Sequence, residues 1–355
     1  MEKEKLQGII DSIKNKDFTL YFFTMDTKGV AKYSIKHTYD IVQTLTELGY
    51  DARILHEKED YHVNSPIGWL GDCYNNIKHT SIEKDKLTIK PIDFVIVPEV
   101  FANVMEQLRM NNVPSKNIVM CQSPEYIFEL LKPGKSWGSY DFYDVITTNK
   151  QVSDYVKDLF PTVEAYEIPV GISEHFKNEH KLKKPIISIM CRNQNDILKI
   201  SKMFILKNPI YGWLNFRDIR GMAQEEMAHI LDNSFLSVWI DDISGFGTFP
   251  IESMKCNTPV IGKIPKMIPE WMIEETEKGK ELKQNGVWVN NVDEIPDLIA
   301  EFTKLWLQDE LPEKLFTEMQ DTAKLYTTDV LKEKTKEVFE TIINNRITEI
   351  EKLMQ

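Results

Sequence analysis

The chain predicts an α/β protein of two doubly wound Rossmann-like domains, and three observations carry that reading. Short β-type apolar runs alternate with helical patterns from end to end, the order that builds parallel sheets covered by helices on both faces. At 355 residues the chain exceeds one typical core, so two domains are expected. Midway, Ile168-Pro169-Val170-Gly171-Ile172 leads into KNEHKLKKP, a charged segment ending in Pro185 that reads as a linker. The expectation is a first domain over residues 1–172 and a second over 173–328.

In the first half the predicted strands are Phe18–Phe23, Ala52–Leu55, Ile92–Val97, Ile118–Cys121 and Val145–Thr148. Between the first two, Ile35, Tyr39, Val42, Leu45 and Leu48 recur at helical spacing and predict a helix over Tyr33–Leu48. Residues His56 to Lys90 are rich in turn and polar residues and read as an irregular excursion. In the second half the predicted strands are Ile186–Met190, Trp213–Phe216, Phe235–Ile240, Pro259–Ile261 and Val287–Val289. The last stretch, Asp329–Gln355, carries Leu331, Val338, Phe339, Ile342, Ile343, Ile347, Ile350 and Leu353 along one helical face. That face must be buried, and the first domain is its expected destination. No internal repeat is visible.

Composition narrows the function classes. Hydrophobic content of 42% with 28% charged residues is that of a soluble globular protein. A net charge of -12 argues against non-specific nucleic-acid binding and against a generally basic membrane-docking surface. Cys73, Cys121, Cys191 and Cys256 are far apart with no CxxC pair, and three lie in or beside apolar runs, as buried free thiols do. The first five residues lack the apolar core of a signal peptide, and no stretch nears the ~18 apolar residues of a membrane span. The expected location is therefore cytoplasmic.

The richest segment is residues 235 to 262, FLSVWIDDISGFGTFPIESMKCNTPVIG. An apolar run ends in Asp241 and Asp242, a turn follows at Gly245-Phe246-Gly247, and a short helical stretch carries Glu252 before a second apolar run. Strand, glycine loop, helix and strand make a phosphate-holding unit. Glycines let backbone amides approach an anion, and the helix N-terminus adds partial positive charge. Glu252 lies about one turn into that helix, within reach of a sugar hydroxyl on whatever carries the phosphate.

These residues resemble the retaining GT-B glycosyltransferases, in particular the large GT4-type group (glycosyl transferases group 1). That family has a strand, then Glu-Gly-Phe-Gly, then a helix with a second Glu eight residues after the first, then a Gly-Thr-Pro-Val-Ile strand. Here the run is Ser244-Gly245-Phe246-Gly247-Thr248-Phe249-Pro250-Ile251-Glu252, followed by Asn257-Thr258-Pro259-Val260-Ile261. The resemblance implies the GT-B architecture, two Rossmann-like domains facing across a cleft with the C-terminal helix returning to the first. It implies a hexosyltransferase using a nucleotide diphosphate sugar, with retention of configuration, in glycan or surface polysaccharide synthesis.

By the same resemblance Glu252 accepts from the ribose hydroxyls, and the amides of Gly247 and Thr248 face the diphosphate. Arg192, with Lys199 or Lys202 as the following base, neutralises the leaving group. The loop at Phe216–Met222, including Arg220, packs on the nucleobase. Gly29, between the first strand and its helix, lines the acceptor and donor sugars; Gln122 follows a strand at the sugar site, and Glu99 ends a strand on the acceptor side. One departure stands out: Ser244 replaces the first Glu of the family pair. Asp241 or Asp242 is the candidate replacement, the alternative being that both acids only end their strand. Asn257 replaces the usual Gly and suits a left-handed helix end.

No cofactor is expected beyond the donor substrate, and no metal, since cationic side chains take its place. The segment His56-Glu57-Lys58-Glu59-Asp60-Tyr61-His62 does not match a helical metal motif. The expected partners are a nucleotide sugar and a glycan, lipid-linked or other hydroxyl acceptor. Three alternatives share the fold: an epimerase or phosphorylase, a catalytically degenerate nucleotide-sugar-binding protein, and a phage-type DNA glucosyltransferase.

Overall fold

In the computed structural model, which describes residues 2–58, 69–85, 87–179, 182–277 and 279–355, two parallel sheets organise the chain. The first contains β1 (Thr19–Phe23), β2 (Asp51–His56), β3 (Lys78–Ser81), β4 (Phe94–Pro98), β5 (Lys116–Cys121), β6 (Asp144–Thr147) and β7 (Glu164–Glu167). Its helices are α1 (Glu2–Lys14), α2 (Tyr33–Glu47), α3 (Ile82–Asp85), α4 (Ala102–Met110), α5 (Tyr126–Leu130) and α6 (Lys150–Leu159). The spatial order is β3-β2-β1-β4-β5-β6-β7, every pairing parallel. Leu20, Phe22, Ile54, Phe94 and Ile118 are fully buried, because strands covered on both faces have no solvent side.

The second sheet contains β8 (Lys184–Cys191), β9 (Asn215–Asp218), β10 (Ser234–Ile240), β11 (Val260–Lys263) and, after a hairpin of β12 (Ile273–Thr276) and β13 (Gly279–Leu282), β14 (Val287–Val289). Its helices are α7 (Gln194–Lys207), α8 (Gln224–Asn233), α9 (Thr248–Lys255), α10 (Ile295–Gln308) and α11 (Glu313–Ala323). The order is β14-β11-β10-β8-β9, again parallel. All seven residues of β10 are buried, as befits the central strand.

The chain divides into Met1–Pro169 with Asp329–Gln355, and Val170–Thr328. A long final helix, α12 (Thr328–Leu353), returns to the first unit. There Phe339 packs on Phe22 at 5.9 Å between ring centroids, and Lys332 pairs with Glu47. Leu353, expected on the buried face, is exposed, since the helix runs past the surface it covers.

Strand order marks where each sheet reverses direction of growth. In the first unit the chain builds from β1 outward to β3 and then restarts at β4 beside β1; in the second it restarts at β10 beside β8. At such a switch point the loops after neighbouring strands part and leave a crevice at the carboxyl edge. In the second unit these loops begin at Arg192 and Asp241; in the first they begin after Phe23 and Pro98.

The differences from expectation lie at edges. The excursion His56–Lys90 contains β3 and α3, and β7 was not expected, because polar edge strands (KHTS and EAYE) lack the apolar signature of interior ones. The strand expected at Trp213–Phe216 forms two residues later, at Asn215–Asp218, leaving Trp213 in the loop before it. Residues 59 to 62 of the His56–His62 segment lie outside the described residues.

Candidate functional site

The carboxyl edge of β8 and β10 is built around two acids. Asp241 ends β10, and its carboxylate accepts Arg192 Nε at 3.0 Å and Nη2 at 3.1 Å. The Asp241 Oδ1 also accepts the amides of Ile243 and Ser244, at 3.1 and 3.2 Å. One side chain thus orients the arginine and starts the loop, an Asx turn with a charge-assisted fork attached. Asp242 accepts Lys263 Nζ on both oxygens, at 2.7 and 2.8 Å. Lys263 ends β11, so three adjacent strands deliver alternating base and acid to one edge.

Beyond the acids, Ser244 Oγ accepts the Gly247 amide at 2.9 Å and closes the turn. The Gly247 amide, expected to face a diphosphate, thus donates within the loop. Gly247 sits at φ +74, and a Cβ there would fall 2.8 Å from the Trp239 ring. Both backbone conformation and space require glycine. Phe246 is buried: its ring packs edge-on to Tyr326 at 5.2 Å, and its carbonyl accepts Trp271 Nε1 at 2.6 Å. Gly245 is also buried, while Thr248 is half-buried and opens α9, where first-turn amides lack intrahelical acceptors.

Helix α9 is pinned to the sheet by hydroxyls. Ser253 Oγ donates to Ser237 Oγ at 3.0 Å, which lies 2.7 Å from Ser188 Oγ. Beside Ser253, Glu252 is only 1% exposed. Asn257, just past the helix, takes φ +57.

The remaining second-unit candidates fall elsewhere. Lys199 pairs with Asp293 ahead of α10, and Lys202 is exposed on α7, so neither shares the Arg192–Asp241 fork. Arg220 is held by Asp218 at 2.6 Å, and that carboxylate raises its pKa. Lys263 was missed by sequence reasoning; its only signal was a base two residues past the apolar run Pro259–Ile261.

In the first unit, Gly29 is buried at φ +78 in the turn between β1 and α2, where Asp26 accepts the Lys28 amide at 2.7 Å. Gln122 follows β5 and donates from Nε2 to the Ser34 carbonyl at 3.0 Å. Glu99, past β4, accepts the amides of Ser123 and Gln122 at 2.6 and 3.2 Å. Burial pushes its pKa up to about 7, although those amides oppose the shift. Among the described residues no group of three or more His, Cys, Asp and Glu is placed to hold a metal, and no helix is long and apolar enough to cross a membrane.

No family model and no characterised protein sequence matches this chain. Solved structures do. The pneumococcal O-GlcNAc transferase GtfA, in complex with UDP and GlcNAc, superposes with a TM-score of 0.67 at 10% identity, over 92% of this chain and 99% of that one. Sucrose-phosphate synthase from Thermosynechococcus elongatus gives 0.62 at 11% identity, over 92% and 99%. Anabaena HepE in complex with UDP gives 0.57 at 9%, over 91% and 99%. Likeness at such identity speaks to backbone architecture, and the chain has the fold of the GT-B glycosyltransferases.

Proposed function

We propose that this protein is a glycosyltransferase that moves a hexose from a nucleoside diphosphate sugar to an acceptor hydroxyl with retention at the anomeric carbon. The observation that carries the reading is the glycine loop and helix start placed at the switch point of the second sheet, with Arg192 and Lys263 ending the strands on either side of β10. That arrangement suits a diphosphate: a cation ends the strand on each side of the one that leads into the helix, and Glu252 sits about one turn into that helix. The UDP complexes of GtfA and HepE support the same class of donor.

In the proposed reaction the bond from the anomeric carbon to the phosphate oxygen breaks, and its electron pair leaves with the diphosphate. Arg192, Lys263 and the first-turn amides of α9 stabilise the charge that develops there. The acceptor oxygen bonds to the same face of the oxocarbenium-like carbon, and its proton passes to the departing phosphate oxygen. The two acids position the bases in this reading. Asp241 and Asp242 each hold a base, and Ser244 closes the loop.

That last point favours a second reading, a protein that binds nucleotide sugar without transferring it. Thermal-shift screening of UDP, GDP, ADP and TDP sugars separates the outcomes. A ligand at ~100 times its dissociation constant adds about 2.7 kcal/mol of stability. A rise in melting temperature followed by transfer or slow donor hydrolysis supports the enzyme, a rise without turnover supports the binder, and no shift with any nucleotide overturns both.

A further inference from the structure

From Leu182 to Arg217 the chain has a single acid, Asp196, and seven Lys or Arg, whereas the whole chain has 55 acids against 43 basic residues. A basic stretch in an acidic protein asks for a reason, and its apolar residues supply one. On α7, Ile197, Ile200 and Phe204 face the core, while Lys199 and Lys207 reach Asp293 and Asp297 on the α10 side. At 100° per residue, Lys202 and Leu206 point away from the core. Leu206 is 81% exposed, Ile210 in the following turn 75%, and Trp213 49%.

Strand register extends this surface. Ile186 pairs with Asn215 in parallel, so the chain entering β8 runs beside the chain entering β9. Leu182, 88% exposed, and the exposed Lys184 therefore share a sheet edge with Trp213. Trp213 meets Tyr211 edge-on at 6.5 Å, and Tyr211 stacks on Phe204 at 6.3 Å, which anchors the aromatic end of the patch to the core.

We propose that this end of the second unit, formed by Leu182, Leu206, Ile210 and Trp213 with Lys184 and Lys202 at its rim, docks on an anionic lipid surface. Large apolar side chains beside lysines match a bilayer interface, where the first enter the acyl boundary and the second meet the headgroups. Tryptophan favours the same depth. A second copy of the chain would bring two like-charged faces together, and a nucleic acid would leave Leu206 and Ile210 without apolar contact. With no described helix able to span a bilayer, the attachment lies on the surface. The inference stands apart from the glycosyl-transfer reading, because its residues lie on α7 and at the strand-entry edge, not at the carboxyl edge of the sheet.

The test is flotation of the full chain with phosphatidylcholine vesicles, with and without phosphatidylglycerol, at low and high salt. Binding is expected only with phosphatidylglycerol and is expected to weaken with salt. Lys184→Gln and Lys202→Gln should each reduce it about fivefold. Leu206→Ser with Ile210→Ser should reduce it roughly tenfold or more, with unchanged circular dichroism and melting. Equal flotation with both vesicle types, or binding indifferent to the Leu206 and Ile210 changes, overturns the proposal. So does absence of vesicle binding, whether the same changes then abolish self-association or the chain instead retards duplex DNA.

Discussion

Arg192 and Asp241 form a two-point fork, Nε to Oδ1 at 3.0 Å and Nη2 to Oδ2 at 3.1 Å, across the switch point of the second sheet. The arginine is 48% exposed, so the pair contributes about 0–1 kcal/mol to folding. Its value lies in orientation, since a guanidinium held by one carboxylate loses little freedom when a phosphate joins it. Arg192→Ala is expected to leave the melting temperature nearly unchanged while slowing transfer about 100-fold. Asp241→Asn should slow it less, because the amide oxygen still caps Ile243 and Ser244. Wild-type turnover in the Arg192 variant, measured by steady-state kinetics, would remove the arginine from the mechanism.

Glu252 is buried in a helix pinned to the sheet through Ser253. If its carboxylate receives the ribose hydroxyls, Glu252→Gln should weaken nucleoside diphosphate binding by about 10- to 100-fold, the range for a hydrogen bond to a charged group. Calorimetric titration reads this directly. An unchanged dissociation constant would rule out the ribose assignment.

Gly247 combines a left-handed backbone with an approach to Trp239 that leaves a Cβ at 2.8 Å. Gly247→Ala is expected to cost roughly 2–4 kcal/mol from strain and overpacking together. Urea unfolding of the variant measures the loss. A variant as stable as wild type would mean that the loop has an alternative conformation.

Two buried groups in the first unit give opposite pH dependences. Glu99 has its pKa raised by burial from an ordinary 4.5 to about 7. The folded state then holds the proton more tightly, so its contribution is complete in acid and is lost as pH rises through about 7. His37 is depressed from 6.5 to about 3, chiefly by burial and then by the Lys36 charge. Its contribution is complete above 6.5 and is lost as pH falls toward 3. Glu99→Gln should therefore gain stability relative to wild type between about pH 5 and pH 8. A melting difference that stays flat across that range would show that Glu99 titrates normally.

Much of the candidate site's local framework was readable along the chain because it is contiguous. The apolar run before Asp241, the Gly245–Gly247 turn and the start of α9 lie within a few residues of one another, and spacing alone links them. Lys263 was hidden for the opposite reason: it meets Asp242 across 21 positions of sequence, and only the pairing of β10 with β11 brings them together. Lys199 lies close to Arg192 in sequence, whereas helical geometry turns it toward Asp293, a contact that spacing along the chain does not reveal. Polar edge strands such as β3 and β7 escaped because a strand with one open side need not be apolar.

By itself the sequence determined the alternation of strands and helices, the glycine turn that leads into a helix and the amphipathic face of the last helix. Each depends on periodicity or on neighbours a turn apart. Only the tertiary structure decided strand order, and with it which loops meet at a switch point. It also showed that Asp241 and Asp242 hold bases, that Ser244 closes the glycine turn, and that Leu206, Ile210 and Trp213 face outward. Those facts rest on contacts between distant segments, where packing and charge pairing select among partners that a linear pattern leaves equivalent.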